Sequence, residues 1–266
     1  MLRLALTKMH FPVVYLGNKK TTMKLFVTHL TIVCCMLAST AFSQGAEGVI
    51  NYEVKVNLHR TLPPDRAEMK DMIPEFRTSK QQLFFNTSES LYKPVIEDED
   101  PMENNGGGVR IRMQQPNVEV YYNASEQRRV IQEEFMGKDY LIEDSIAVTP
   151  WKFVSEVKRV MDYDCQKATY FDERRQQQVT AWYTNKLRPF LGPEMFNGLP
   201  GAVLMLDIND GERVVTARSI ENRSLKKHEL RVPDKGVKTT RSEFQKMRDE
   251  HVQRMRANGA NVIIRN

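Results

Sequence analysis

The chain has 266 residues, with 39 Lys plus Arg, 34 Asp plus Glu and 3 Cys. Residues 1–43 carry five of the bases (Arg3, Lys8, Lys19, Lys20 and Lys24) and no acid, so the rest of the chain balances at 34 against 34. Cys34 and Cys35 also fall in that stretch and leave Cys165 alone, which excludes a disulfide scaffold, while the balanced charge removes the electrostatic case for nucleic-acid binding.

The N-terminus reads as an address. Met23-Lys24 precedes an apolar run through Leu25, Phe26, Val27, Leu30, Ile32, Val33 and Leu37. Its length, about a dozen residues, is that of a signal-peptide core, and Ala41-Phe42-Ser43 supplies the small residues of a cleavage site. Residues 1–43 are therefore expected to be a signal region with Met23 as the better start, and Gln44 the first mature residue. The run is short of the ~20 apolar residues that a membrane span needs. The mature chain, 44–266, is expected to be a single domain that is not an integral membrane protein, exported and either periplasmic or outer-membrane associated.

Strands come next. Ile50, Tyr52, Val54, Val56 and Leu58 alternate along residues 48–58, the period of a half-buried strand. Pro63-Pro64 opens a short helical or irregular excursion. Leu83-Phe84-Phe85 and Ser90-Leu91-Tyr92 read as strands around a turn at 86–88. Residues 97–108 (EDEDPMENNGGG) are acidic, Gly-rich and aperiodic, the signature of a surface loop. Strand patterns resume at 109–113, 117–123, 128–135, 138–143 and 158–163. Residues 165–171 and 177–184 flank a polar turn, and 202–208, Asn209-Asp210-Gly211 and 213–220 form a strong hairpin signal.

The one strong helix is last, over 240–258. Thr240-Arg-Ser-Glu243 is a capping box, Phe244, Met247, His251 and Met255 make a stripe, and Asn258-Gly259 is a stop. Many short strands without βα alternation predict a mainly β fold. Its antiparallel sheet must curve around its own core, as a half-barrel or sandwich, with a short N-terminal helical excursion and the C-terminal amphipathic helix. Charge is uneven along this fold: residues 213–266 hold 14 bases and 6 acids, a net of +8. That is a solvated basic tail or a contact with an anionic partner.

Residues 151–208 carry a resemblance. Trp151-Lys152, Cys165-Gln-Lys-Ala168, Ala181-Trp-Tyr-Thr184, Gly192-Pro193, Phe196 and Gly198-Leu-Pro-Gly201 match the marks of the GLPGLI family of secreted proteins from Gram-negative bacteria. Gly48-Val-Ile-Asn-Tyr-Glu53, Ser90-Leu-Tyr92 and Tyr121-Tyr-Asn123 fit as well. The chain departs from the family pattern at Ala202-Val203, where Leu-Ile gives the family its name, at Glu173-Arg174 and at Leu187-Arg188. The resemblance implies an exported β-rich envelope protein whose biochemical function is not established, and it transfers no catalytic residue.

Candidate sites follow from residue chemistry. Gly192, Pro193, Phe196, Gly198, Leu199, Pro200 and Gly201 make a rigid loop, either a corner of the sheet or a surface for a ligand or partner. Met247, His251 and Met255 share one helix face, with donors that suit Cu(I) or with side chains that fill a core. Cys165 is a packing thiol, a cross-chain disulfide partner or a nucleophile. No HExxH, CxxC, GxSxG or Walker pattern is present, so no cofactor and no resident metal are expected. The leading expectation is a non-enzymatic protein that binds an envelope protein or a hydrophobic ligand, as an accessory to outer-membrane uptake. Apolar surface would be buried against its concave face and the 192–201 loop. A copper-binding protein and a Cys165-dependent enzyme are the alternatives.

Overall fold

The centre of the fold is β1 (Gly48–Asn57), whose Ile50, Tyr52 and Val54 are buried. The structure, a computed structural model, describes residues 47–62, 64–96, 117–146 and 148–257. The signal region, the 97–108 loop, the 109–113 strand and the Asn258-Gly259 stop all lie outside the described residues.

Antiparallel partners build outward from β1 on both sides. One wing runs through β2 (Phe76–Phe85), β3 (Glu89–Pro94), β4 (Val118–Asn123), β5 (Arg128–Phe135) and β6 (Lys138–Ser145). The other runs through β11 (Arg213–Asn222), β10 (Ala202–Ile208), β9 (Gln177–Thr184), β8 (Tyr163–Asp172) and β7 (Lys152–Val160). A short β12 (Val237–Thr239) joins β6 in parallel and brings the sheet to 12 strands among the described residues. The sheet is open and curved, as the strand pattern predicts.

Local chemistry explains most of the turns. Met136 and Gly137, both at positive φ, make the two-residue turn between β5 and β6. Asn123 accepts from the N–H groups of Ser125 and Glu126 at 3.1 Å each and turns β4 into β5. The Asn209-Asp210-Gly211 turn has positive φ throughout, and the predicted hairpin forms around it.

Three boundaries differ from expectation. β1 stops at Asn57, whose side chain accepts from the Arg60 N–H at 3.1 Å. That caps a short helix, α1 (Leu58–Thr61), so Leu58 leaves the strand. The short helical excursion expected after Pro63-Pro64 follows, as a 3-10 segment (Pro64–Met72). The strand read over 158–163 is instead split by a turn at Met161, which has φ of 53°. Lys158 to Val160 end β7, and Tyr163 begins β8.

Each face of the sheet carries a buried cluster. Tyr92, Val120, Ile131 and Ile142 of one wing and Val179, Ala181 and Leu206 of the other belong to one buried cluster on the inner face. Leu91, Tyr121, Val130 and Leu141 are one residue out of phase, hence on the outer face. There Leu230 and Val232 pack over them, from the segment that carries the chain from mid-sheet β11 to edge strand β12.

The last helix, α2 (Arg241–Ala257), closes the inner side. The capping box is present: the Glu243 N–H donates to Thr240 Oγ1 (3.2 Å) and the Thr240 N–H to Glu243 Oε2 (2.9 Å). Phe244 packs edge-on to Phe135 of β5 and tilted against Tyr140 of β6. Arg174, in the β8–β9 turn of the opposite wing, donates to Gln245 of α2. Elements far apart in strand order thus meet across the curve.

Candidate functional site

The 192–201 loop sits between β9 and β10 and folds inward. Leu191, Phe196 and Leu199 are buried in the inner cluster, and Gly192, Pro193 and Gly201 are buried with them. Gly198 and Pro200 alone of the seven predicted residues are exposed. Backbone bonds fix the path: the Val203 N–H donates to Leu191 O (2.8 Å) and the Phe196 N–H to Pro193 O (3.0 Å). The glycines permit close approach. A Cβ on Gly192 would lie 2.1 Å from Phe196 O, and one on Gly201 would lie 2.0 Å from Thr184 O.

Polar contacts anchor this plug from below. The Tyr52 hydroxyl donates to Val203 O at 2.6 Å, and the Trp151 indole N–H reaches Asn197 O at 3.4 Å. Glu194 is paired with Arg213 of β11 through both carboxylate oxygens, one at 3.1 Å. Burial alone would raise the Glu194 carboxyl, but the Arg213 guanidinium outweighs it and holds the group below its ordinary value. The motif is thus a wedge set into the core, and the concave face behind it is filled by the protein's own side chains.

Cys165 is 0% exposed, on β8, with its thiol 3.7 Å from Tyr163 O. Burial pushes the thiol up to about 11, and the carboxylate of Asp164 adds to the effect. That setting suits packing and opposes thiolate formation. The helix stripe divides. Met247 packs against the core, the His251 ring stands edge-on to Phe135 at 5.5 Å, and Met255 is at the surface. Among the described residues, no three His, Cys, Asp or Glu side chains gather as a metal site.

Two surfaces escape the sequence reading. The first is β7, which among the described residues is an edge strand paired to β8 alone, broken by a bulge between Val154 and Val157. Eight of its nine residues are exposed, including Phe153 (64%), Val154 (40%) and Val157 (66%). Lys152, Lys158 and Arg159 make it basic, and its one acid, Glu156, is held by Lys167 of β8 at 2.6 Å. Exposure on both faces erases the alternation that marks a half-buried strand, which is why the sequence hides it.

The second is a polar cleft of about 900 Å³ between the start of α2, the end of β6 and the β8–β9 turn. Arg174, Arg241, Asp144 and Gln245 are among its lining residues. Asp144 accepts from Arg129 at 2.9 Å and from Arg241 at 3.1 Å. These groups are far apart in the chain, and the net basic charge of residues 213–266 was the one available signal.

Comparison with protein-family models gives no match, and comparison with curated proteins gives none. Among solved structures the chain is similar to PNGF-II in its P21 crystal form. The TM-score is 0.51 and the identity 16%, over 76% of this chain and 33% of that one. The C2 crystal form of PNGF-II gives a TM-score of 0.49 at 16% identity, over 76% and 32%. The chain thus spans about a third of PNGF-II's length. At this identity the likeness concerns the fold alone. Among the described residues no helix is long and apolar enough to cross a membrane.

Proposed function

We propose that this chain is an exported, non-enzymatic envelope protein of the GLPGLI type that binds a protein partner, the partner adding an extended segment to β7. The observation that carries this reading is the exposure of β7. An edge strand has a free row of backbone donors and acceptors, and natural sheets usually shorten, charge or cover it. Here a nine-residue edge carries three exposed apolar side chains beside three bases. Strand addition supplies main-chain hydrogen bonds, while alternate side chains supply selectivity. The charge of β7 points to an occupant that alternates apolar with acidic residues.

The test uses the purified protein and a short synthetic peptide alternating Val with Glu, with a Val and Lys counterpart as control. Fluorescence anisotropy should show binding of the acidic peptide only, and Val157→Asp should weaken it about tenfold, near 1.4 kcal/mol. Its melting temperature should hold, because an exposed substitution typically shifts stability by less than about 0.5 kcal/mol. Equal binding of both peptides, or no effect of Val157→Asp, would sink the reading. A β7-dependent dimer in light scattering would assign the edge to a second copy of this chain instead.

A further inference from the structure

The open edge of β7 has two unlike faces, and the cross-strand register assigns them. Phe153 is in one row with Ala168 and Ala181, and Val157 in one with Gln166 and Tyr183. Ala181 and Tyr183 are on the inner face, so Phe153 and Val157 project there too, with Phe153 edge-on to the Tyr183 ring at 6.2 Å. Val154 is instead in the row of Lys167, Trp182 and Met205, on the outer face. Lys152, two residues before Val154, projects to that side. So does Lys158, opposite Cys165, with its ammonium 5.4 Å from the centre of the Trp182 ring. The bulge does not disturb this order: three steps from Val154 to Val157 answer one step from Lys167 to Gln166, and two surplus residues preserve the alternation.

The charges divide along the same line. Arg159 is on the inner side, opposite Asp164, and has the Asp162 carboxylate at 3.7 Å. Lys152 and Lys158, on the outer side, form no ion pair among the described residues, and Lys158 donates to a neutral acceptor, Met205 Sδ, at 3.4 Å. Glu156, the one acid of β7, is already taken by Lys167 at 2.6 Å. The outer face of the edge is thus left with two unmatched cations. The inner face presents Phe153 and Val157, and Val154, the least exposed of the three apolar side chains, is the one that shares the outer face.

We infer that the partner segment is taken in one phase: its apolar side chains inward, beside Phe153 and Val157, and its acidic side chains outward, beside Lys152 and Lys158. This rests on strand addition at β7 and adds which residues of the edge select the partner. Side chains directly opposite in adjacent strands are about 5 Å apart, so each added residue meets its own neighbour on β7. A slip of one residue would turn every side chain to the other face, carrying carboxylates onto Phe153 and Val157 and apolar groups onto the lysines. Like charges directly opposite are unfavourable, so Lys152 and Lys158 turn away a basic segment as well as attracting an acidic one.

Single charge reversals read the phase, in anisotropy titrations with the acidic (Val and Glu) and basic (Val and Lys) peptides at about 0.15 M salt, where charges more than about 8 Å apart are largely screened. Lys158→Glu should weaken the acidic peptide about fivefold, the scale of one exposed ion pair exchanged for a repulsion. Lys152→Glu should do the same, and it guards against a local effect at Lys158, whose ammonium packs on Trp182. The double variant should prefer the basic peptide. Arg159→Glu, the same reversal on the inner face, should change the affinity by less than about twofold. All of these exposed variants should melt with the unaltered protein. Suppose the acidic peptide binds and Val157→Asp weakens it, but Arg159→Glu weakens it as much as the lysine reversals do, or neither lysine reversal matters. Strand addition then stands and the phase is overturned. If neither peptide binds the unaltered protein, strand addition falls and the phase falls with it.

Discussion

The 192–201 loop and β7 lie on the same wing of the sheet and are opposites. The loop is conspicuous in the sequence, with paired Gly and Pro at fixed spacing, yet it is wedged into the core with Leu191, Phe196 and Leu199 buried. Strand β7 has only its end, Lys158 to Val160, in a sequence-predicted strand, yet it offers the most exposed apolar edge of the described residues. Unusual backbone chemistry is what a tight internal corner requires, since close approach and positive φ leave few residue choices. A wet edge requires neither. A conspicuous motif therefore points here to architecture, and a plain strand to contact.

That contrast can be broken by substitution, beginning where the effect is largest. Gly201→Ala places a Cβ 2.0 Å from Thr184 O, so backbone must move. It should cost about 3 kcal/mol or more in denaturant unfolding, or prevent accumulation of folded protein. Gly198→Ala, three residues earlier, meets open space at φ of 88° and should cost only about 1 kcal/mol of backbone strain. Similar costs at the two positions would show that the wedge is not packed as described.

Glu194→Gln comes next. It leaves the half-buried Arg213 charge without its partner, a loss of about 1–2 kcal/mol, below that of a fully buried pair because solvent screens part of the charge. The carboxyl is held below its ordinary value near 4.5, so its contribution is present above that pH and is lost as pH falls through the folded value. Wild-type stability should therefore fall more steeply than that of Glu194→Gln on acidification below about pH 4.5. Parallel curves would sink this assignment. Val157→Asp on β7 closes the series, with the smallest change in stability and the larger one in peptide binding.

What the sequence shows and hides has physical causes. The 202–220 hairpin is legible because its signals are local: an apolar run before Asn209-Asp210-Gly211 and a β-branched run after it. The capping box of α2 is legible for the same reason, since Thr240 and Glu243 bond to each other. Met161 is not, because a positive φ at methionine carries no residue signal. Strand β12 is three residues long and takes its existence from pairing with β6. In the site, the glycines announce a close approach, but not that Thr184 O and Phe196 O are what they approach. The polar cleft is assembled from residues far apart in the chain, Asp144 and Arg241 among them, and charge asymmetry alone hints at it.

The pairing of β1 with β11 governs how the molecule can assemble. Asn51 of β1 bonds Ser219 of β11 across 168 residues of chain. Strands β1 to β6 can zip as consecutive hairpins while the chain is still being made, but until β11 is synthesised one side of β1 has no neighbour. The growing sheet thus carries Val49 to Val56 as an open, sticky border through most of synthesis. Its completion waits on a long-range closure, which makes folding slow and the incomplete chain prone to pair with the wrong strand.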